Sequence, residues 1–527
     1  MQRIRRILTG LSEAEWTDAD RKQIARELLE AAGLEVYPES VSSGKGLLLA
    51  MTRDGNKRLL AIGSAERMRC SGLAGAEYRE LPADGTKQML ALAARSHELS
   101  CFVREALPWT APRVCGLDCS VGLGDRTGLA TPGHIRAVRG SGCVPYLPQQ
   151  SIREMTRTER SPANVMDDAC WGVFQAGWRE GFGSDADHLK TPQDIDNCLA
   201  VGFTMYTFDP GDHVRSEADN LSGSALAAAL DSVPWKDLEI SLNDYRRTYL
   251  DQPFALDGGQ SLRFDEQTIA RAAVKYGGAI AHAARMYRHL AQRSGQRPFE
   301  VEVSVDETLT PTTEAEHYLV AAELKRMGVG WVGLAPRFIG EFEKGIDYKG
   351  DLAAFEKSFA QHAAIARTLG PYKLSIHSGS DKFSVYPITA RLADRRVHLK
   401  TAGTSYLEAL RVVARCQPDL FRRILDFAFE RFDEDKATYH ISARKEVIPR
   451  PKDLSDAQLE SVLEGNDGRQ LLHVTFGSVL TRKQDDGTYL FRGELMDVLN
   501  THEEDHYTVL ASHLGRHVSP FASSLAQ

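Results

Sequence analysis

The feature that most constrains this chain is an alternation of short apolar runs with helical patterns from about Val114 onward. The predicted strands are Val114–Leu117, Leu199–Thr207, Phe299–Val305, Gly330–Leu334, Leu374–Ile376 and Arg396–Leu399. The predicted helices between and after them are Phe264–Gln292, Thr313–Met327, Asp351–Leu369 and Tyr406–Ala414. Strand–helix alternation is typical of a parallel α/β sheet, and a repeat of roughly 25–40 residues is the size of one barrel unit. The pattern therefore predicts a TIM-barrel-like (β/α) barrel.

Polar residues follow several predicted strands at their C-terminal ends. They are Asp209, Asp306, Glu307, Arg337, Glu341, His377, Asp381, Lys400 and Thr401. In a (β/α) barrel these ends converge on one face, where active sites are built. If these residues only solvated loops, polar residues would be equally common at both ends of the strands. The N-terminal ends are less polar, which argues against that alternative. We therefore predict a functional site on this face.

The first 110 residues have a different pattern, which indicates a separate small α+β module. Its predicted elements are a helix over Ser12–Gly33, strands over Gly46–Met51 and Arg58–Ile62, and a helix over Asp84–Leu107. Pro108 and Pro112 bracket a predicted linker. We therefore predict two units, residues 1–110 and residues 111–527. The second is a catalytic barrel with a helical C-terminal extension, and the role of the first stays open.

Charge, cysteines and hydropathy exclude several classes of protein. The net charge of −8 argues against a nucleic-acid partner. Eight cysteines without a C-x-x-C pair argue against a thiol-rich zinc site and fit a reducing compartment. No run of about 18 apolar residues is present, so we expect no membrane span and no signal peptide. These properties predict a cytoplasmic protein, and they leave open whether it forms a homo-oligomer.

A glycine-rich stretch, Gly122–His134, follows the first predicted barrel strand. Its spacing is G-x-G-x-x-x-G, which differs from the dinucleotide-binding spacing G-x-G-x-x-G. We interpret the stretch as a backbone cradle for an anionic substrate that uses Asp125 and Arg126; the alternative is a turn-rich connector. A second basic stretch, Gln150–Pro162, contains Arg153, Arg157 and Arg160. Its arginines either bind a carboxylate or phosphate, or form a solvated helix face paired with Glu154 and Glu159.

Two groups combine histidine with carboxylates. The stretch Phe182–Pro192 contains Asp187 and His188, and a histidine beside a carboxylate is a candidate ligand or base. The second group consists of residues from separate strand ends, namely Asp306, Glu307, Glu341, Glu343 and His377. Mixed histidine and carboxylate ligands suit a divalent metal cation such as Zn, Mn, Ni or Fe. No fixed spacing supports a metal site, so this prediction rests on the chemistry of the side chains alone.

Several long motifs in order resemble the tagaturonate epimerase family. They are G-L-G-D-R-T-G-L-A-T-P-G-H-I (122–135), F-G-S-D-A-D-H-L-K-T (182–191), S-V-D-E-T (304–308), L-A-P-R-F-I-G-E-F-E-K-G-I-D-Y (334–348), H-S-G-S-D-K-F-S-V-Y-P (377–387) and K-T-A-G-T-S-Y-L-E-A-L (400–410). The resemblance covers residues 112 to about 515. It implies a metal-dependent TIM-barrel-like enzyme that interconverts D-tagaturonate and D-fructuronate. Both are small-molecule sugar acids of hexuronate catabolism.

The resemblance also implies roles for residues of this chain. Asp187 is expected to be the proton acceptor and Glu307 the proton donor. His188, His377 and Glu341 are expected to bind the metal, with Glu343 and Asp347 as alternatives to Glu341.

The two sugars differ at a hydroxyl-bearing carbon β to the ketone, whose proton is not acidic. We therefore expect retro-aldol chemistry, with Arg337 and Lys382 clamping the carboxylate and Asp381 contacting other polar groups. One alternative is a related metal-dependent isomerase or aldolase of another keto-sugar acid. Another is a sugar-acid sensor without catalytic activity.

Overall fold

The computed structural model describes residues 16–73, 75–81 and 88–522. It begins with a five-stranded antiparallel sheet in the order β1-β2-β3-β5-β4. The strands are Ser42–Gly44 (β1), Leu47–Met51 (β2), Leu59–Ser64 (β3), Glu77–Leu81 (β4) and Gln88–Ala93 (β5). One face packs against Ile24 and Leu28 of an N-terminal helix, and the other against Trp171 and Phe174 of a barrel helix. Strand β2 is apolar throughout because both of its faces are covered.

The centre of the chain is a closed barrel of eight parallel strands, which confirms the predicted TIM-barrel-like fold. Its strands are Ser120–Gly122 (β6), Val144–Ser151 (β7), Gly183–Leu189 (β8), Met205–Phe208 (β9), Glu300–Val305 (β12), Gly333–Pro336 (β13), Lys373–Ile376 (β14) and Val397–Lys400 (β15). Around the barrel they follow the order β12-β13-β14-β15-β6-β7-β8-β9. A short hairpin, Phe254–Ala255 (β10) and Ser261–Leu262 (β11), lies between β9 and β12 in the chain.

The strands of the barrel and the sheet are connected and covered by helices. Those before β12 are Asp18–Ala32, Ala65–Ser71, His97–Ala106, Thr131–Val138, Ile152–Arg157, Pro162–Ala176, Pro192–Val201, Gly223–Asp231, Leu242–Tyr249 and Glu266–Ser294. Those after it are Glu314–Arg326, Leu352–Leu369, Tyr386–Leu392, Thr404–Cys416, Pro418–Asp435, Asn466–Val474, Phe476–Thr481, Arg492–Thr501 and Glu503–Val518. Among the described residues, no helix has the length and apolar character needed to cross a membrane.

Strand β12 shows how the barrel acquires a polar interior. Its sequence E-V-E-V-S-V alternates, and its valines belong to the large apolar core outside the barrel. The intervening Glu300 and Glu302 point inward, where Glu300 accepts a hydrogen bond from the Tyr146 hydroxyl at 2.9 Å. A strand with a period of two thus delivers carboxylates to the barrel axis and apolar side chains to the helices.

The helices after β15 form an extension with its own apolar core, which includes Leu410, Phe421 and Leu472. Its last helix, Glu503–Val518, lies against the barrel helix Thr131–Val138. A Cβ atom on Gly133 would lie 2.7 Å from the Leu510 side chain, so a glycine is needed for this close approach. The same last helix reaches the N-terminal module, where the Tyr37 hydroxyl donates to Glu503 at 2.7 Å.

Some of the predicted elements differ from the structure. The predicted strand Val114–Leu117 is wrong, since the barrel strand begins only at Ser120. The predicted strand Leu199–Thr207 divides into the end of a helix and β9. Strands β7 and β8 were missed because prolines interrupt one and polar residues dominate the other. Of the predicted helix Asp84–Leu107, the described part contains β5 before the helix His97–Ala106, because pairing with β3 and β4 overrides helix propensity.

Candidate active site

A cavity of about 560 Å³ opens at the C-terminal ends of the barrel strands. Asp187 and His188 reach it from β8, and Asp306 and Glu307 follow β12. His377 reaches it from the end of β14. This is the face on which parallel barrels collect catalytic side chains, because all strands end there with the same polarity.

His188, His377 and Asp306 meet at one point of the cavity wall. One ligand atom from each residue lies within 4.8 Å of the corresponding atoms of the other two. The two imidazole rings have centroids 5.0 Å apart, and His377 Nδ1 is 3.3 Å from Asp306 Oδ1. Two nitrogen donors and one carboxylate form a ligand set that suits several divalent transition metals. We call these three residues the open cluster.

A buried carboxylate orients each histidine of the open cluster. His188 Nδ1 is 2.7 Å from Asp187 Oδ1, and His377 Nε2 is 2.7 Å from Glu302 Oε1. Each bond fixes one ring nitrogen and leaves the other, His188 Nε2 or His377 Nδ1, for a ligand. Carboxylates in this position set the tautomer and basicity of metal-binding histidines.

Electrostatics at the open cluster favours a cation. Burial opposes the charged form of His377, but Asp306 and Glu302 outweigh it and raise the pKa of this imidazole to about 10. Burial likewise opposes the charged form of His188, but Asp187 outweighs burial and raises the pKa of this imidazole. The surrounding carboxylates therefore hold positive charge at this point of the wall.

Lys400 stabilises the carboxylates beneath the open cluster. Its ammonium lies 2.9 Å from Asp185, 2.6 Å from Asp187 and 2.8 Å from Glu302. Gln149 donates a further hydrogen bond to Asp187 at 2.8 Å. Burial alone would raise the pKa of Asp187, yet His188 and Lys400 hold it well below its usual range. Asp187 is therefore ionised at neutral pH.

Glu307 differs from these paired carboxylates. It forms no hydrogen bond or ion pair with another described residue, and its side chain lines the cavity. It also belongs to a second group of potential ligand atoms with His188 and Asp209, again within 4.8 Å. Glu307 is thus free to exchange a proton with a bound molecule.

Glu341 lies on the cavity wall but apart from the open cluster. Its Oε2 atom is 2.8 Å from Nε2 of the exposed His440. The two alternatives are engaged elsewhere: Glu343 accepts from Ser442 at 2.8 Å, and Asp347 from Ser384 at 2.9 Å. Among the described residues, Asp306 is the carboxylate that the fold brings to both histidines.

Three predicted substrate contacts lie outside the cavity lining. Asp125 accepts from the backbone N–H groups of Thr127 and Ala130, at 2.8 and 2.7 Å, and so closes the glycine-rich loop. Asp381 forms an ion pair with Arg469 at 2.8 Å. The Lys382 ammonium donates to backbone carbonyl groups, including that of Glu343 at 2.7 Å.

Three predicted cations do line the cavity. Arg126 forms an ion pair with Glu154 at 2.8 Å, and its guanidinium lies 3.6 Å from the centre of the Phe476 ring. Arg337 donates to the Thr308 carbonyl, and Arg153 lies above the Tyr439 ring.

Sequence reasoning missed Glu302, which orients a histidine, and Lys344, which lines the same wall. A signal for Glu302 existed, because a charged residue recurs at alternate positions of an otherwise apolar strand.

Comparison with known proteins gives a consistent result. A family model described as UxaE tagaturonate epimerase matches residues 37–521. The tagaturonate/fructuronate epimerase of Thermotoga maritima is 41% identical over 488 residues, which are 92% of this chain and 96% of that relative. The one-glycerol crystal structure of fructuronate-tagaturonate epimerase UxaE from Cohnella laeviribosi has a TM-score of 0.86 and 42% identity, covering 95% of this chain and 99% of that one. Its native crystal structure has the same TM-score at 41% identity.

Proposed function

Because this chain belongs to the tagaturonate epimerase family, we propose that it interconverts D-tagaturonate and D-fructuronate with a divalent metal bound at the open cluster. The proposal combines the enzyme class of the family with the chemistry of the cavity. The open cluster carries the metal part of the proposal. Each of its histidines has one ring nitrogen bonded to a carboxylate, and the other nitrogen of His377, Nδ1, lies 3.3 Å from Asp306.

The ligand set fits such a metal on the chemistry of its donors. His377 Nδ1 is buried and makes no well-aligned hydrogen bond with a described residue; its contact at 3.3 Å is with Asp306, which belongs to the same cluster. His188, His377 and Asp306 would hold the ion, and Asp187 and Glu302 would orient the histidines. A bound divalent cation supplies Lewis-acid polarisation of the substrate's ketone oxygen.

The reaction has to invert a carbon that is β to the ketone, where the C–H bond is not acidic. A retro-aldol route avoids that bond. Loss of the hydroxyl proton breaks the adjacent C–C bond and leaves an aldehyde and an enediolate. Rotation of the aldehyde and re-formation of the same bond on its other face return the proton and give the epimer. Atoms and electrons balance without an oxidant or reductant.

Asp187 and Glu307 are proposed as the proton acceptor and the proton donor. Asp187 is ionised and lines the cavity, so it can accept a hydroxyl proton once the substrate displaces one of its contacts with Gln149, His188 and Lys400. Glu307 has no competing partner and contacts the same cavity. Arg337 on the cavity wall remains a candidate contact for the substrate.

The test is conversion of D-tagaturonate to D-fructuronate followed by NMR, with protein that is stripped of metal and reloaded with Mn, Ni or Zn. We expect metal-dependent conversion that falls by at least about 100-fold in His377→Ala. His440→Ala is the matched control, because this histidine also lines the cavity but is exposed and pairs with Glu341.

Two results would contradict the proposal. Equal activity of the stripped and reloaded protein would exclude the metal. Solvent deuterium at the inverted carbon, together with no trapped three-carbon aldehyde, would exclude the retro-aldol route. Tight metal binding without conversion would instead indicate a related enzyme of another keto-sugar acid. If the protein neither binds the metal nor converts tagaturonate, a sugar-acid sensor is favoured.

A further inference from the structure

Lys344 is a cation of the cavity wall without a partner. Its ammonium forms no hydrogen bond or ion pair with another described residue, although the side chain is partly buried. Arg153, on the same wall, also has no carboxylate partner among the described residues, but its side chain is exposed and water can solvate it. Of the other cations of the cavity, Arg126 pairs with Glu154 and Lys400 with three carboxylates. Arg337 donates to the Thr308 backbone carbonyl and stays a candidate substrate contact.

The positive charge of the Lys344 ammonium is unfavourable in its surroundings as long as no anion is bound beside it. Burial lowers the pKa of Lys344, the positive charges of Arg153 and Arg126 lower it further, and Glu154 opposes them only in part. An ammonium on an exposed surface needs no protein partner, because water solvates it. In a concave wall beside two guanidinium groups, a bound anion offsets both the desolvation and the repulsion.

The fold holds Lys344 in place through its neighbours. On one side, Glu343 accepts hydrogen bonds from Ser442 at 2.8 Å and from Gln470 at 2.7 Å. On the other side, the Gly345 carbonyl accepts from Arg469 at 2.8 Å. These partners come from the C-terminal extension, so the extension fixes the backbone on both sides of a cation whose own head group is free. That arrangement is typical of a preorganised binding group.

We propose that Lys344 and Arg153 form the subsite that binds the carboxylate of the sugar acid and selects it over an uncharged sugar. This inference rests on the proposed function for its substrate class. The predicted clamp residue Lys382 is excluded from this task, because its ammonium donates to three backbone carbonyl groups. The chemistry also requires such a subsite. When the C–C bond breaks, the carboxylate stays with the aldehyde fragment, which has to turn without leaving the cavity.

The test compares an anion with its uncharged counterpart. D-gluconate and D-glucitol have the same carbon chain and no ketone, so neither can be turned over by the proposed route. Binding of each to the metal-loaded protein is measured by calorimetry, for the wild type and for Lys344→Met, Arg153→Met and Lys344→Arg. Lys357→Met, at an exposed lysine of the helix Leu352–Leu369, is the matched control.

We expect Lys344→Met to weaken gluconate binding by about 10- to 100-fold and to leave glucitol binding unchanged. Arg153→Met changes gluconate binding in the same direction, Lys344→Arg restores part of it, and Lys357→Met has no effect. With D-tagaturonate as substrate, Lys344→Met raises KM more than it lowers kcat.

Two outcomes overturn the subsite: equal losses for gluconate and glucitol in Lys344→Met, or a wild type that binds gluconate no better than glucitol. The proposed function fails separately. Suppose that the wild type does not epimerise tagaturonate, but Lys344→Met still weakens gluconate binding. The carboxylate subsite then stands, and the reaction is a different one.

Discussion

Two clusters of histidine and aspartate lie beside each other in this molecule, and they have opposite characters. The open cluster contains His377, at the end of β14. A closed cluster, which we define as Asp381, His513 and His517, begins four residues later in the chain. In both, one ligand atom of each residue lies within 4.8 Å of the others. By residue type and distance alone, either is a metal site.

The partners separate the two clusters. In the closed cluster, Asp381 Oδ1 is 2.5 Å from His513 Nε2, and Oδ2 accepts from Arg469 at 2.8 Å. The Asp381 backbone N–H donates to His517 Nε2 at 2.9 Å, which occupies that ring nitrogen as well. In the open cluster one nitrogen of each ring is left over. Saturation of the partners thus distinguishes a structural link between the barrel and its extension from the cluster that we propose as the metal site.

The largest expected effect separates the clusters by activity. Asp306→Asn removes the carboxylate of the open cluster, so we expect metal affinity and kcat to fall by at least about 100-fold. Metal content by mass spectrometry and conversion by NMR measure both. Asp381→Asn is the paired variant and should keep its metal. If Asp381→Asn loses metal while Asp306→Asn retains it, the two clusters have been interpreted in reverse.

A second variant compares the clusters by stability. Asp381→Ala leaves Arg469 and two histidines without their carboxylate, so the free energy of unfolding should fall by about 3–5 kcal/mol. Denaturant titration followed by circular dichroism measures the change. Asp426→Ala, at an exposed aspartate of the helix Pro418–Asp435, is the control and should be nearly neutral. An equally small change in both would mean that Asp381 does not link the extension to the barrel.

A smaller effect is expected one step behind the open cluster. Glu302→Gln weakens the orienting bond to His377 Nε2 without removing a ligand, so metal affinity should fall by about 10- to 100-fold. Competition with a coloured chelator measures it. Unchanged affinity would show that Glu302 serves only to neutralise Lys400.

The smallest expected effect depends on pH and lies where the extension meets the barrel. Burial raises the pKa of Glu343, but hydrogen bonds from Gln470 and Ser442 outweigh it and lower the pKa from 4.5 to about 2. A carboxyl with a lowered pKa in the folded state stabilises the fold above its unfolded value, and the contribution is lost as pH falls from 4.5 toward 2. The difference in Tm between wild type and Glu343→Gln should therefore shrink over this range. A constant difference would contradict the assignment.

Much of the fold was predictable from local pattern. The helices Glu266–Ser294, Glu314–Arg326 and Leu352–Leu369 coincide closely with predicted helices, and β12 and β14 are bounded by polar residues. Strand β8 was not predictable, because its alternation carries aspartates into the barrel rather than apolar side chains. The positive charge that neutralises these aspartates belongs mainly to Lys400, which lies on a strand more than 200 residues further along the chain.

The sequence by itself determined the α/β class, the barrel face that carries the site and the two histidines of the open cluster. Chain polarity is the reason, since parallel strands must all end on one face. Only the tertiary structure decided which carboxylate joins those histidines, and it brought Asp306 rather than Glu341 to them. It also separated Asp381 from His377, four residues apart, into different clusters. Those outcomes depend on which partners from distant segments saturate each polar group, and local sequence does not encode that.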